Sequence, residues 1–175
     1  MWNDVPERLQ RIPAKKVWYN GEIYNSALEA KWAVFFDTMG IEYKHEPREY
    51  MPETGVRYLP DFALFNVKWR GEKPQFLNSG RHVVFVEVKG ANSYDELDIK
   101  EKVKIEEFAQ NWPLLVLGNL PEDSNYFNKN WDRSDKLMNF CFLDGKDEDC
   151  FFIEDSNKQI WLWNPILSYT NQEDF

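Results

Sequence analysis

Cysteine is nearly missing: Cys141 and Cys150 are the only two in 175 residues, without a Cys-x-x-Cys spacing or a histidine set beside them. That excludes a structural zinc site and reads as reduced cytosolic thiols, with a hairpin disulfide as the alternative. Long apolar runs are missing too. No stretch of about 18 hydrophobic residues occurs, so no membrane-spanning helix is expected. The opening MWNDVPERLQRIPAKK has no apolar segment of the kind a secretion signal needs, so a cytoplasmic protein is expected. Repeats and low-complexity tracts are lacking. Positive charge is in deficit, with 21 Lys+Arg against 30 Asp+Glu and a net charge of −9, which argues against a generic nucleic-acid binder. The deficit is uneven: residues 1–120 hold 16 basic and 18 acidic residues, and residues 121–175 hold 5 and 12. The first two thirds can therefore still carry a local positive groove.

Hydrophobic residues make up 43% and aromatics 17%, which excludes a disordered composition and supplies one domain with a dense aromatic core. VWYNGEIY (17–24) places Asn20-Gly21 between two short apolar runs and reads as a hairpin with a type I′ turn. NSALEAKWAVFFDTMG (25–40) reads as an amphipathic helix, with Leu28, Trp32, Phe35, Phe36 and Met39 on one stripe. Asn25 or Ser26 can cap it, and Gly40 can end it. Residues 41–50 read as a strand broken near Pro47, residues 57–65 as a second strand, 66–80 as a loop or hairpin tip, and VVFVEVKG (83–90) as a third strand. Residues 92–112 suit a second helix with a Leu97, Ile105, Phe108 and Trp112 stripe. PLLVLGN (113–119) suits a strand buried on both faces. Beyond residue 120 the expectation is a small acidic antiparallel β appendage packed on the core: NFCFL, CFFIED and QIWLWN as strands, joined by DGKDED and SNK.

The strand at 83–90 carries an anomaly. Val84, Val86 and Val88 share one face, and Phe85, Glu87 and Lys89 share the other. A buried-reading strand has thus placed a carboxylate and an ammonium side by side, where burying charge is costly. Asp61 interrupts LPDFALF in the same way. On neighbouring strands Asp61 and Glu87 approach each other, and two such carboxylates repel unless a cation lies between them. Glu29 sits at the edge of the first helix's buried stripe, beside Ala33 and Phe36, and can point at the same spot. Three carboxylates and one lysine suit Mg²⁺, which takes one or two carboxylates and keeps several waters. Each residue also has an ordinary explanation. Glu87 and Lys89 can be a solvated edge pair, Asp61 a turn acid after Pro60, and Glu29 the second half of a SALE capping box with Ser26.

Pro60-Asp61 followed 26 positions later by Glu87-x-Lys89, within a helix–three strands–helix–strand order, resembles the PD-(D/E)XK nuclease superfamily. YNSALEAKWAVFFDTMGIEYKHEP is similar to the opening of its small stand-alone phage and bacterial members. The likeness covers about residues 17–120. It implies an α/β fold: a restriction-endonuclease-like αβββαβ core, residues 1–120, with a mixed sheet flanked by helices. It implies a magnesium site, with Mn²⁺ able to substitute, held by Asp61, Glu87 and the backbone carbonyl of Val88. Glu29 would be a further ligand or would orient a metal-bound water, and Lys89 would serve the nucleophile. A polar residue on the following helix would be Lys104, or Lys100 one turn away.

The expected function is metal-dependent hydrolysis of phosphodiester bonds, in DNA, by a metal-activated water in a bacterial or phage-infected cell. Tyr43, Lys44, His45, Arg48 and Arg57 flank the inferred active face as candidate phosphate contacts, with a solvated strand edge as the alternative; His45 reads as a surface histidine, with a substrate contact as the alternative. A homodimer and a protein partner for residues 121–175 are possible partners. The alternative is a non-catalytic nuclease-fold module that binds or inhibits through its acidic C-terminal region.

Overall fold

The computed structural model describes residues 15–51, 55, 57–70, 83–91, 94–118, 139–143, 146–149, 151–154 and 160–163; for 69–70 and the last four segments the description is of the backbone. Among the described residues the chain is α/β, with two α-helices on a mixed sheet.

A hairpin opens the described chain. Strands β1 (Val17–Tyr19) and β2 (Glu22–Tyr24) pair antiparallel across Asn20 and Gly21, whose φ values of 47° and 84° are those of a type I′ turn. Helix α1 (Ala27–Thr38) follows, capped by Ser26, whose hydroxyl accepts the Glu29 N–H. The helix ends in a Schellman motif. Gly40 takes φ 66°, its N–H reaches the Asp37 carbonyl, and the Ile41 N–H reaches that of Phe36.

Strands β3 (Glu42–His45), β4 (Phe62–Phe65), β6 (Val83–Val88) and β7 (Leu114–Leu117) run in that order from one edge of the main sheet. The first two pairings are antiparallel, and β6 with β7 is parallel. Helix α2 (Ile99–Ala109) supplies the crossover that the parallel pair requires. Strand β3 is shorter than the sequence suggested because the chain turns into the left-handed region at Glu46, φ 42°, just before Pro47. Strand β4 is shorter too, and Tyr58 instead makes an isolated bridge to Tyr50. Helix α2 starts at its last acidic cap, Asp98, and not near residue 92; Tyr94–Glu96 form a separate 3₁₀ turn.

The sheet does not stop at residue 120. Strands β8 (Asn139–Leu143) and β9 (Lys146–Asp149) continue it antiparallel beyond β7. Strand β9 lies where DGKDED read as a connection. Strand β5 (Lys68–Arg70) lies in the expected loop and pairs parallel with β11 (Ile160–Trp163), which pairs antiparallel with β10 (Phe151–Glu154). Cys150 and residues 121–138 lie outside the described residues.

Alternation along the strands makes two cores. On one face Trp32 and Phe36 of α1 meet Phe62, Leu64, Val84, Val86, Leu115 and Leu117. The Trp32 indole also donates to the Gly118 carbonyl at 2.8 Å, pinning α1 to the end of β7. On the other face Ile105, Phe108 and Ala109 of α2 meet Tyr58, Ala63, Phe85, Leu114 and Val116. Glu87 shares the parity of Phe85 and pairs with Val116, so it marks the place where the α2-side core gives way to charge.

Candidate active site

In an antiparallel ladder the start of one strand lies beside the end of its neighbour. The register runs from Phe65↔Val83 to Phe62↔Val86. One step further places Asp61 opposite Glu87. Backbone directions fix the kind of pair. The Phe85 and Lys89 N–H groups reach toward β7, to the Pro113 and Leu117 carbonyls, so those of Val84, Val86 and Val88 point toward β4. Asp61 and Glu87 therefore form the narrow, non-hydrogen-bonded kind of pair, whose side chains lie closest. The β4 ladder has ended by Val88, and the Asp61 carboxylate takes its N–H at 2.7 Å. The carbonyl of Val88 points to the same side as that N–H, toward Asp61.

Lys89 follows at the strand end. Its ammonium lies 2.9 Å from Glu87 Oε1 and 3.2 Å from Glu101 Oε1 on α2. The other oxygen of Glu87 accepts the Tyr58 hydroxyl at 2.8 Å. These groups line a cleft of about 210 Å³, together with Arg57, Leu59, Lys104 and Ile105.

The electrostatics follow from this crowding. Burial raises the Asp61 pKa most, and the Glu87 charge adds to it; the Val88 N–H and Lys89 oppose them, and Glu29 pushes the same way as Glu87. The balance holds Asp61 well above the ordinary carboxylate range. Burial works against the charge of Lys89, but the two glutamates outweigh it and hold its pKa above 10.5. Burial and the Glu87 charge raise the Tyr58 pKa, so its phenol is neutral and donates.

Asp61, Glu87, Val88 and Lys89 thus lie together where β4 begins and β6 ends; Glu87 and Lys89 share the cleft wall with Lys104, and Asp61 and Val88 are not among its lining residues. Glu29 does not converge in the same way. It is buried, its carboxylate accepts from the Ser26 hydroxyl at 3.0 Å and the Asn25 N–H at 3.2 Å, and it faces His45 Nε2 at 3.4 Å. The capping box claims it, and only its charge reaches Asp61. Among the described residues no group of three or more His, Cys, Asp or Glu side chains is arranged to hold a metal ion.

His45 is no surface residue. Its side chain is 5% exposed, lies against the Tyr24 ring at 4.3 Å, and bridges Glu22 and Glu29. Lys100 is exposed and is not among the residues that line the cleft; its N–H is used in the α2 cap. Arg48 lies over the Tyr50 ring, Arg57 faces Glu49 at 3.6 Å on the cleft rim, and Lys44 stands exposed on edge strand β3. Tyr43 packs among Phe36 and Phe62 and donates to Asp37, away from the cleft.

Sequence reasoning missed Tyr58 and Glu101. Glu101 had a visible signal: it falls on the Leu97, Ile105, Phe108 stripe, a charge on an apolar face. Tyr58 had none, because contacts with Tyr50 and Phe108 bring it over Glu87.

The donor set fits a hard divalent cation. Two carboxylates from adjacent strands and one strand-end carbonyl supply oxygen ligands alone, in the number Mg²⁺ takes from protein. A cation would also offset the Glu87 charge that, after burial, raises the Asp61 pKa. Comparison of the chain with protein-family models, with curated proteins and with solved structures returned no match.

Proposed function

We propose that this protein is a metal-dependent nuclease that hydrolyses phosphodiester bonds in DNA, on a restriction-endonuclease-like αβββαβ core of the PD-(D/E)XK kind. One observation carries the reading: Asp61 lies across the ladder from Glu87, with Lys89 salt-bridged to that glutamate at the mouth of a cleft. A structural ion pair has no need of a second carboxylate beside it.

Asp61, Glu87 and the Val88 carbonyl would hold Mg²⁺ or Mn²⁺. When bound, the ion supplies Lewis acidity to the scissile phosphate and to the attacking water. The chain's own residues do the rest. Lys89, kept as an ammonium by Glu87 and Glu101, donates to the nucleophile or to the charge that builds on phosphate oxygen. Arg57 and Lys104, on the cleft wall, hold the neighbouring phosphates without reading bases. The α2-side core closes the floor of the cleft and lowers the local dielectric, which strengthens each of these contacts.

A panel of linear, circular, single-stranded and branched DNA tests the reading, with Mg²⁺ or Mn²⁺ and with EDTA. Cleavage of at least one form that EDTA stops and that Lys89→Ala lacks is the expected result. Wild-type cleavage by a folded, contaminant-free Lys89→Ala protein would remove Lys89 from the mechanism.

A further inference from the structure

Glu87 has two carboxylate oxygens, and the structure commits both. Lys89 takes one, and the Tyr58 hydroxyl takes the other at 2.8 Å. Tyr58 sits in the connection before β4, outside the paired strands, yet it is only 7% exposed. Two bonds lock its backbone to Tyr50, N–H to carbonyl in both directions, at 2.8 and 2.7 Å. Its ring lies nearly parallel to that of Phe108 on α2, with centroids 4.5 Å apart and planes 26° apart. The hydroxyl therefore reaches Glu87 from a direction set by two separate elements.

We infer that Tyr58 is a positioning residue whose hydroxyl fixes the Glu87 carboxylate for the divalent cation and couples that cation site to α2 through Phe108. The inference rests on the nuclease reading. A glutamate has three side-chain torsions to immobilise when it binds a metal, and a rigid donor meets that cost before the ion arrives. The bond does not exhaust its acceptor. A carboxylate oxygen has about two lone-pair sites, so Oε2 keeps one for a cation while it accepts from the phenol. Lys89 cannot do this alone, because its ammonium is shared between Glu87 and Glu101. Packing does not account for the hydroxyl either, since a phenylalanine ring would cover Phe108 equally well.

Calorimetric titration of the full chain with Mn²⁺ tests this without any substrate. Tyr58→Phe keeps the ring and its stack and removes only the donor. Its Mn²⁺ dissociation constant should rise about 10- to 100-fold, the usual cost of losing a group that orients a ligand. Phe108→Leu keeps the hydroxyl and removes the surface it lies on, and should weaken Mn²⁺ in the same direction by less. If Tyr58→Phe fails to fold, by circular dichroism, Phe108→Leu decides the matter. An unchanged Mn²⁺ affinity in a folded Tyr58→Phe, beside a wild type that binds, overturns the positioning role and leaves the nuclease reading standing. A wild type that binds no Mn²⁺ overturns both.

Discussion

Asp61→Asn should stabilise the metal-free protein at neutral pH and abolish most of its response to metal. Asp61 and Glu87 form a narrow antiparallel pair, the kind whose side chains stand about 5 Å apart. At an effective dielectric of about 20, two like charges at that distance repel by roughly 3 kcal/mol. Lys89, 2.9 Å from Glu87, returns part of this. About 1–2 kcal/mol then remains to be recovered, roughly 2–8 °C in melting temperature for a chain of this length. Asparagine keeps an oxygen for the Val88 N–H, so the substitution removes the charge and not the acceptor.

The sign of the pH dependence follows from the raised pKa of Asp61. A carboxyl whose folded pKa lies above its unfolded value binds its proton more tightly in the native state. Stability is thus lost as pH rises from the unfolded value toward the folded one, and the penalty is complete above both. The gain from Asp61→Asn should therefore grow as pH rises above the unfolded carboxyl value, be complete only above the folded one, and shrink as pH falls toward 4. Mn²⁺ at one hundred times its dissociation constant should stabilise wild type by about 2.7 kcal/mol, roughly 5–11 °C, and the variant by far less. Thermal melts between pH 4 and 8, with and without Mn²⁺, decide it. A variant destabilised by several kcal/mol, beside a wild type indifferent to metal, would mean that Asp61 is a structural acid and no ligand.

Lys89→Ala should cost about 10²–10³-fold in cleavage rate while the circular dichroism spectrum stays unchanged, as loss of one preorganised charge donor does; a smaller loss would place Lys89 outside the reacting group. For His45, burial opposes the proton, but the Glu29 hydrogen bond and the Glu46, Glu29 and Glu22 charges outweigh it and raise the pKa above 6.5. Its contribution is therefore complete below pH 6.5 and is lost as pH rises through the folded value, so the stability difference between wild type and His45→Gln should shrink from pH 5 to pH 9 in melting experiments. Parallel pH profiles for the two proteins would show that His45 does not titrate in that way. Trp32→Phe leaves the buried Gly118 carbonyl without its indole donor and should cost about 1–3 kcal/mol in denaturant unfolding; no loss would mean that water replaces the bond.

What the sequence disclosed depended on how local the cause was. The Asn20-Gly21 turn, the Ser26 and Glu29 capping box and the Gly40 ending are decided within a few residues, and each stands where its chemistry places it. The site was legible through strand parity, because a charge at a buried-reading position stands out in a single strand. Pairings between distant segments left no such trace. Nothing local links Lys68–Arg70 to Ile160–Trp163. Strand β9 read as a connection because Lys-Asp-Glu-Asp is poor strand material, but it is an edge strand, and edges favour charge that deters further pairing. His45 misread for a related reason. A polar residue on a short edge strand looks exposed until the upstream hairpin lays Tyr24 against it.

The position of the site follows from the topology. Strand β6 lies between β4 and β7, with α1 on one face and α2 on the other, so its interior tolerates only Val84, Phe85 and Val86. Charge can enter only where the cover ends, at Glu87 and Lys89. Antiparallel pairing with β4 then brings the beginning of that strand, Asp61, to the same place. The parallel crossover brings α2 back over the α2-side core, and its register decides what meets the lysine. Leu97, Ile105 and Phe108 face the core, and Glu101, on the same stripe, meets Lys89 at 3.2 Å. A slip of one residue would present Lys100 or Lys102 and set a like charge against Lys89. The apolar packing of α2 on Phe85 therefore also fixes the charge balance of the site.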